Sequence, residues 1–443
     1  MALQLIKEED TLAAAFREFV ETRDANEPAW LRLLRQKSFA RFEEPGFPTV
    51  KDEDWKYTNV APIAKANFAP ALANRTAPTA EDIGPFIHET RNSTIVFVNG
   101  FYQRELSRLE ALPAGVVVIS FVDALASGEH EGVIRPHFEG ENENGFTALN
   151  AAFGEGILVV VPANSKIEAP LHLLFVTDVA EGSTPAVFPR VLVVAEPNSS
   201  ATVVENYAGL ASARYLTNSV IDFVLEDGAQ VRHYKVQRES TEAFHIATTS
   251  ADLGANATYD TTTINFGAAL SRHGIDVRMD HEGAQCSVDG LYMVDGNQHT
   301  DTHSVIDHRQ PRCASHQLYK GILDGKSRAV FNGKVFVRHG AQQTDAKQTN
   351  KNLLLSPEAR VDTKPQLEIF ADDVKCAHGA AVGQLDRDEL FYLESRGINP
   401  TLARNLLTYG FAEEVIERIK IDSLRRELDE AVLHRLHSGF ELQ

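Results

Sequence analysis

The middle of the chain, from about residue 156 to residue 375, consists of short runs of apolar or alternating residues. Typical runs are ILVVV, RVLVVAE, VIDFVLE and KVFVRH, and turn residues separate them. Short runs rich in Val, Ile and Phe and bounded by turns are typical of β-strands. The sequence of this region has no long helical periodicity. The pattern therefore predicts an all-β region.

The turns of this region recur at a steady interval. They share a small residue where a strand restarts, and the aligned positions are Ala201, Ala229, Ala255, Ala284, Cys313 and Ala341. The spacings between them are 28, 26, 29, 29 and 28 residues. A superperiod of this kind is typical of stacked coils, whereas a β-sandwich shows turns every ~8–12 residues without one. We therefore predict a mainly β protein whose core is a parallel β-helix, a type of solenoid.

Helical patterns precede and follow the β region. Apolar residues recur at helical spacing in residues 1 to about 90, and Pro28 is placed to open a second helix. The stretch PGFPTVKDEDWKYTNVAP, bounded by prolines, predicts an ordered connector instead of a helix. We expect an N-terminal helical and mixed region over residues 1–155.

The C-terminal part of the chain predicts capped helices. Asp386 can cap one helix, Asn399 followed by proline can cap a second, and Asp422 can cap a last one. A break is expected at Gly410. These helices could close the end of the β-helix or dock another protein. The predicted boundaries are residues 156–383 for the β-helix and 384–443 for the C-terminal helical region.

Composition narrows the classes of function. The chain has 443 residues, with 43 Lys and Arg against 62 Asp and Glu, for a net charge of −19. This excess argues against nucleic acid or an anionic membrane as the main partner, because both require a basic surface. No apolar stretch is long enough for a signal peptide or a membrane span. Three scattered cysteines do not form a disulfide framework. We expect a cytoplasmic protein.

Two segments resemble nucleotide-binding loops without fulfilling their requirements. GILDGKS, from Gly321 to Ser327, has three residues between its glycines where a P-loop has four, and strand-like residues follow it. GEG, from Gly154 to Gly156, lacks a third glycine. The chain also has no G-x-S-x-G motif of a serine hydrolase. We expect that this chain binds no nucleotide.

Histidines concentrate between residues 273 and 339. Among them, His299, Asp301 and His303 alternate with threonines, so an extended strand would place all three on one face. Imidazole with carboxylate suits zinc or iron. However, the surrounding segment DGNQHTDTHS is polar on both faces and is expected to be an exposed edge or turn. A metal site here remains the less favoured alternative.

Cys376-Ala-His378 is a sharper candidate. On a strand, residues two apart project to the same side, so Cys376 and His378 could bind one metal. A single cysteine is also often an inert core residue. Three dispersed cysteines cannot supply the four thiolates of an iron–sulfur cluster. Any such cluster would therefore need ligands from a partner.

At these residues the sequence resembles the SufB/SufD family of subunits of the Suf iron–sulfur cluster assembly complex, and within it the SufD branch. The segments that carry the resemblance are DEDWKYTNV (52–60), QLYKGILDGKSRAVFNGKVFV (317–337), QTNKNLLLSPEARVDTKPQLEIFADDVKC (348–376) and FADDVKCAHGAAVGQLDRDELFYLESRGI (370–398). The resemblance implies a right-handed parallel β-helix between helical N- and C-terminal regions.

The resemblance also implies partners and a site. It implies a heterodimer with SufB through the β-helix and docking of the SufC ATPase on the C-terminal helices. It further implies a transient iron–sulfur cluster shared with SufB, with His378 as the contribution of this chain and Cys376 as a neighbouring ligand or structural thiol. A homodimer of the isolated chain is left open.

The favoured hypothesis is therefore a scaffold subunit without catalytic activity, whose partner hydrolyses ATP. Two alternatives are a β-helix enzyme that acts on polysaccharides and a stand-alone zinc or iron enzyme built around His299 and His303.

Overall fold

The computed structural model describes residues 2–23, 27–72, 78–87, 90–139 and 144–438. The helices in these ranges are α1 (Ala2–Arg23), α2 (Ala29–Glu43), α3 (Ala61–Ala64), α4 (Ala80–Ile83), α5 (Phe121–Ser127), α6 (Glu131–Glu139), α7 (Gly145–Phe153), α8 (Arg387–Ser395), α9 (Pro400–Ile416) and α10 (Asp422–Ser438). Short 3-10 helices lie at Glu53–Trp55 and Gly84–Phe86. In the described part of the chain, no helix combines the length and the hydropathy needed to cross a membrane.

The strands form two sheets that face each other. They are β1 (Ala69–Pro70), β2 (Thr94–Val98), β3 (Phe101–Tyr102), β4 (Val117–Ser120), β5 (Glu155–Val161), β6 (Leu171–Thr177), β7 (Pro185–Val187), β8 (Pro189–Ala195), β9 (Ser200–Gly209), β10 (Leu216–Leu225), β11 (Gln230–Arg238), β12 (Phe244–Leu253), β13 (Thr258–Asn265), β14 (Leu270–Met279), β15 (Gln285–Val294), β16 (His299–His308), β17 (Ala314–Leu323), β18 (Arg328–Val337), β19 (Thr344–Leu354), β20 (Arg360–Ile369) and β21 (Val374–Gly383).

Successive strands alternate between the two sheets, which makes the fold a β-solenoid of about eight turns. The first sheet has the order β20-β18-β16-β14-β12-β10-β8-β5-β4, and the second has the order β21-β19-β17-β15-β13-β11-β9-β6-β2-β3. Neighbouring strands are parallel except at the N-terminal end, where β4 pairs antiparallel with β5 and β3 pairs antiparallel with β2. All of residues 155–383 are described, and none lies in a helix. The predicted parallel β-helix is confirmed.

The predicted superperiod is confirmed, although its alignment was partly wrong. Successive strands of the second sheet from β9 to β17 are offset by 30, 28, 27 and 29 residues. Ala229, Ala284 and Cys313 occupy equivalent positions, one residue before a strand. Ala201 and Ala255 lie two residues from the equivalent positions, and Ala341 lies three residues from its own, because the number of residues in each coil varies.

Helices cover the outer faces of both sheets. Helices α1, α2 and α7 pack on the first sheet through a buried cluster that includes Phe153, Phe188 and Phe244. Helices α9 and α10 pack on the second sheet through a cluster that includes Ile264 and Val415. The C-terminal helices therefore lie on the side of the solenoid, and the expectation that they could close its end is wrong.

The C-terminal helices follow their predicted caps closely. The Asp386 side chain accepts hydrogen bonds from two backbone amides of α8, and the Asn399 side chain accepts one from Leu402. The expected break at Gly410 is wrong, since α9 runs through it from Pro400 to Ile416. A helical glycine costs only about 1 kcal/mol, which burial of the following apolar residues outweighs. Helix α10 includes Asp422 as its first residue.

Candidate functional site

The last strand of the second sheet carries both residues of the Cys-x-His motif. Among the residues that the structure describes, strand β21 pairs only with β19, so its other edge is open. Cys376 and His378 occupy alternate positions of this strand and face the same side, as predicted. Cys376 is half-buried and packs against the core, whereas His378 is exposed. The motif therefore lies at the open C-terminal end of the solenoid, between core and solvent.

The thiol of Cys376 sits in surroundings that favour its neutral form. Burial raises its pKa above the usual range, and the carboxylate of Asp345 acts in the same direction. A neutral thiol is a poor nucleophile and must lose its proton before it binds a metal.

His378 stands one strand above a buried glutamine. Its register partner is Gln348 on β19, whose side chain is only 1% exposed. Gln348 Nε2 donates a hydrogen bond to Gln317 Oε1 at 2.7 Å, while Gln348 Oε1 has no hydrogen-bond partner among the described residues. Sequence analysis missed this glutamine. The alternation of Gln348, Asn350 and Asn352 signals three amides on one face of a strand.

The chain alone brings few metal ligands together. Within the described ranges, no group of three or more His, Cys, Asp or Glu side chains is placed to hold a metal ion. The three cysteines are free. Cys286 faces the interior in the same column as Cys376, with Ser315 and Ala346 on the strands between them. Three strand spacings separate these two thiols by roughly 14 Å, so they cannot bind one metal.

The segment that contains His299, Asp301 and His303 is not the exposed edge or turn that the sequence predicted. It forms strand β16 inside the first sheet, and the three side chains do share one face. The connector around residues 52–60 covers this face. Asp301 is 1% exposed, and Thr58 of the connector donates a hydrogen bond to its Oδ2 at 2.5 Å.

Asp301 is an ion-pair residue. Its carboxylate contacts the guanidinium of Arg272, which stacks on Trp55 at 3.9 Å, and His303 Nε2 lies 3.1 Å from Asp301 Oδ1. Burial alone would raise the pKa of Asp301, but the charges of Arg272 and His303 hold it well below its usual range. The negative charge of this carboxylate is thus already balanced by its neighbours within the chain. This arrangement fixes the connector to the solenoid and argues against the metal alternative at this strand.

The two segments that resemble nucleotide-binding loops have structural roles. Gly325 adopts a positive φ of 60° in the turn between β17 and β18. Gly156 lies against the backbone of Arg190, where an added Cβ would fall 1.6 Å from a carbonyl oxygen. Both glycines therefore serve close packing of neighbouring coils.

Helix α8 exposes an unusual amount of apolar surface. None of its residues is buried, and Phe391 and Tyr392 are 72% and 57% exposed. Leu402 and Leu406 on α9 add further exposed apolar surface, at 44% and 45%. Large aromatic side chains left in solvent generally mark an interaction surface. We call these four residues the α8–α9 patch.

Comparisons with known proteins agree with the fold. The family model for the SufBD core domain, described as SUF system FeS cluster assembly, matches residues 175–411. The family model for the SufBD protein N-terminal region matches residues 6–173. The chain is 37% identical over 398 residues to an iron–sulfur cluster assembly SufBD family protein of Synechocystis, covering 87% of this chain and 86% of the relative.

Two relatives bear a more specific name. The chain is 32% identical over 412 residues to the iron–sulfur cluster assembly protein SufD of Escherichia coli, covering 91% of this chain and 93% of the relative. It is 28% identical over 420 residues to SufD of Bacillus subtilis, with the same coverage of both chains.

Proposed function

The chain belongs to the SufBD family of iron–sulfur cluster assembly proteins, and from this premise we propose that it is a SufD-type scaffold subunit without catalytic activity of its own. The observation that carries the proposal is the position of Cys376 and His378 on the last strand of the solenoid, at an open sheet edge. The following steps argue for its partners, its cluster site and its mechanism.

We propose that a SufB subunit covers the open end of the solenoid. Strands β20 and β21 end the two sheets, and within the described ranges each pairs with a neighbour on one side only. Unpaired edges of this kind are templates for pairing with another chain. Exposed apolar residues near these edges, namely Ile369, Phe370 and Val382, would be buried by such a partner. The same edges would allow two copies of the isolated chain to form a homodimer.

The iron–sulfur cluster would be cargo shared between the two subunits. Cys376 and His378 supply at most two ligands, while a cluster requires about four. A partner seated against β21 could supply the missing thiolates. Imidazole in place of one thiolate lowers the negative charge of the ligand set, and this suits a scaffold that must release its product.

The ATPase SufC would dock on the α8–α9 patch. Helix α8, which carries Phe391 and Tyr392 of this patch, begins four residues after β21 ends, so a force on α8 acts close to His378. Helix α9 in turn is tied to the second sheet, because Lys320 donates a hydrogen bond to the Phe411 carbonyl oxygen at 2.9 Å. If the ATP-bound partner prefers one arrangement of these helices, nucleotide binding shifts the population of the interface.

The central experiment replaces the proposed iron ligand. We expect His378→Ala to abolish cluster assembly in cells while the chain stays folded, because the side chain is exposed. His316→Ala is the matched control, since His316 is also exposed on a strand of the second sheet. Cluster content is measured by absorbance and iron analysis of the purified complex. Normal cluster assembly with His378→Ala would refute the site.

A second experiment tests the ATPase partner. We expect the double variant Phe391→Ala/Tyr392→Ala to lower SufC binding at least tenfold, because exposed aromatic residues commonly dominate interfaces. Leu33→Ala, which changes an apolar side chain on α2 that is 51% exposed, is the control. Binding is measured by titration calorimetry with the full chain. Unchanged affinity would exclude the α8–α9 patch as the docking surface.

A further inference from the structure

A chain of buried hydrogen bonds runs through the interior of the solenoid as far as Gln348, the register partner of His378. Gln317 Nε2 donates to Ser304 Oγ at 2.7 Å, and Gln348 Nε2 donates to Gln317 Oε1 at the same distance. All three side chains are nearly inaccessible to solvent. Gln317 and Gln348 are register partners on adjacent strands of the second sheet. We call these three residues the amide ladder, because each side chain fixes the orientation of the next.

A glycine of the first sheet leaves room for the ladder. A Cβ added to Gly333 would lie 2.4 Å from Gln348 Nε2 and 3.0 Å from Gln317 Oε1. The facing strand therefore tolerates no side chain at this point unless the amides move. Because the ends of glutamine side chains are flexible, Gly333→Ala would displace the ladder without rebuilding the backbone.

The next position of the ladder belongs to His378. Gln348 Oε1 is buried and has no hydrogen-bond partner in the part of the chain that the structure describes. A buried acceptor without a partner costs about 1–3 kcal/mol, so a nearby donor is strongly favoured. His378 is the register partner of Gln348, one strand spacing of about 4.8 Å away, and its neutral imidazole carries one N–H that can serve as the donor.

We propose that Gln348 is a positioning residue for His378. Its Oε1 accepts a hydrogen bond from one ring nitrogen of His378, which fixes the tautomer and directs the lone pair of the other nitrogen out of the open end. Histidines that bind metals generally use their second nitrogen in this way. The inference rests on the proposed function, in which the free nitrogen binds iron of the shared cluster.

The test measures the ring of His378 directly in the full-length chain. With 15N-labelled histidine at about pH 9, the ring signals of His378 are those that His378→Ala removes. In the unmodified chain we expect two widely separated 15N shifts, one for the protonated nitrogen and one for the bare nitrogen. In Gln348→Met and in Gly333→Ala both shifts should move toward the averaged values of free imidazole. Gln366→Met, a matched change on the last strand of the first sheet, should leave them unchanged.

Identical His378 shifts in the unmodified chain, Gln348→Met and Gly333→Ala would overturn the inference, whether or not a partner binds. A second measurement separates it from the proposed function. We expect both variants to lower cluster assembly in cells by roughly tenfold to a hundredfold. If the shifts move but His378→Ala still assembles clusters, the ladder stands and the proposed function fails. If His378→Ala abolishes assembly while the shifts stay unchanged, the proposed function stands and the positioning role is wrong.

Discussion

His233 and His378 occupy the same inward-facing column of the second sheet, which runs in unbroken register from β11 to β21. His233 is fully buried, with Nε2 2.8 Å from Glu205 Oε2 and Nδ1 2.9 Å from the hydroxyl of Tyr259. His378 has a strand on one side only and is exposed. The same residue type at the same position of the coil is thus fully bonded in one turn and accessible in another.

The difference shows what a repeating fold can do with polar interior positions. In the early turns, Lys235 Nζ lies 2.5 Å from Glu205 Oε1, so the buried carboxylate has two partners. Burial alone would raise the pKa of Glu205, but Lys235 and His233 hold it well below its usual range. Such groups serve the fold, because their hydrogen bonds are satisfied within the chain. At the last turn the missing next strand leaves donors and acceptors for a partner.

Among the variants that test the contrast between the early turns and the last turn, the largest loss of stability is expected at Lys235. Lys235→Met removes the ammonium from a buried ion pair and leaves Glu205 without its main partner, at a cost of roughly 3–5 kcal/mol. Urea unfolding, followed by circular dichroism, measures the loss. Lys375→Met, which changes an exposed lysine on β21, is the control and should cost less than about 0.5 kcal/mol.

The double variant Glu205→Gln/Lys235→Met supplies the internal check. Because both charges are then absent, it should be more stable than Lys235→Met alone. If Lys235→Met costs less than about 1 kcal/mol, the early turns do not depend on their buried ion pair, and the contrast with the last turn is lost.

Sequence patterns predicted the solenoid because the superperiod of the sequence reflects the number of residues in one coil. They did not predict the polar interior. Alternation of polar and apolar residues along a strand normally indicates a solvent-facing side, and the buried partners of Glu205 and His233 come from other coils. The cover over Asp301 was missed for a similar reason, since Thr58 lies 243 residues earlier in the chain.

The site was predicted only in part. The spacing of Cys376 and His378 indicated a shared face, because strand side chains alternate. Their different burial could not be predicted, since it depends on where the solenoid stops. The roles of Gln348 and Gly333 depend on contacts between two sheets, which the pattern of one strand does not report.

A second test concerns a buried histidine of the interior and its response to pH. His308 is fully buried, with Nε2 2.8 Å from Ser315 Oγ, and burial lowers its pKa to about 4. The unfolded chain takes up this proton near pH 6.5, so the contribution of neutral His308 to stability is lost as the pH falls from about 6.5 toward 4. At pH 5 the loss should be roughly 2 kcal/mol.

The variant His308→Gln isolates this contribution. We expect its free energy of unfolding to fall less than that of the unmodified chain between pH 7 and pH 5, by roughly 2 kcal/mol. Urea unfolding at the two pH values measures the difference, and other titrating groups are common to both proteins. Equal pH dependence would mean that His308 gains a proton in the folded chain. Burial would then not keep this imidazole neutral.

The smallest effect on stability is expected at the open end, where the comparison predicts that a charge can be added without harm to the fold. Val382 occupies the inward position above Asn352, yet it is 47% exposed because no strand of the described chain pairs with the outer edge of β21. Val382→Glu should therefore change the free energy of unfolding by less than about 0.5 kcal/mol.

The same change should lower binding of the proposed SufB partner more than tenfold, because pairing would bury an unpaired carboxylate. Val122→Glu on α5, where the side chain is 42% exposed, controls for added charge. A large loss of stability would show that the inward side chains of the last turn are buried like those of the earlier turns. Unchanged binding would place the partner elsewhere on the molecule.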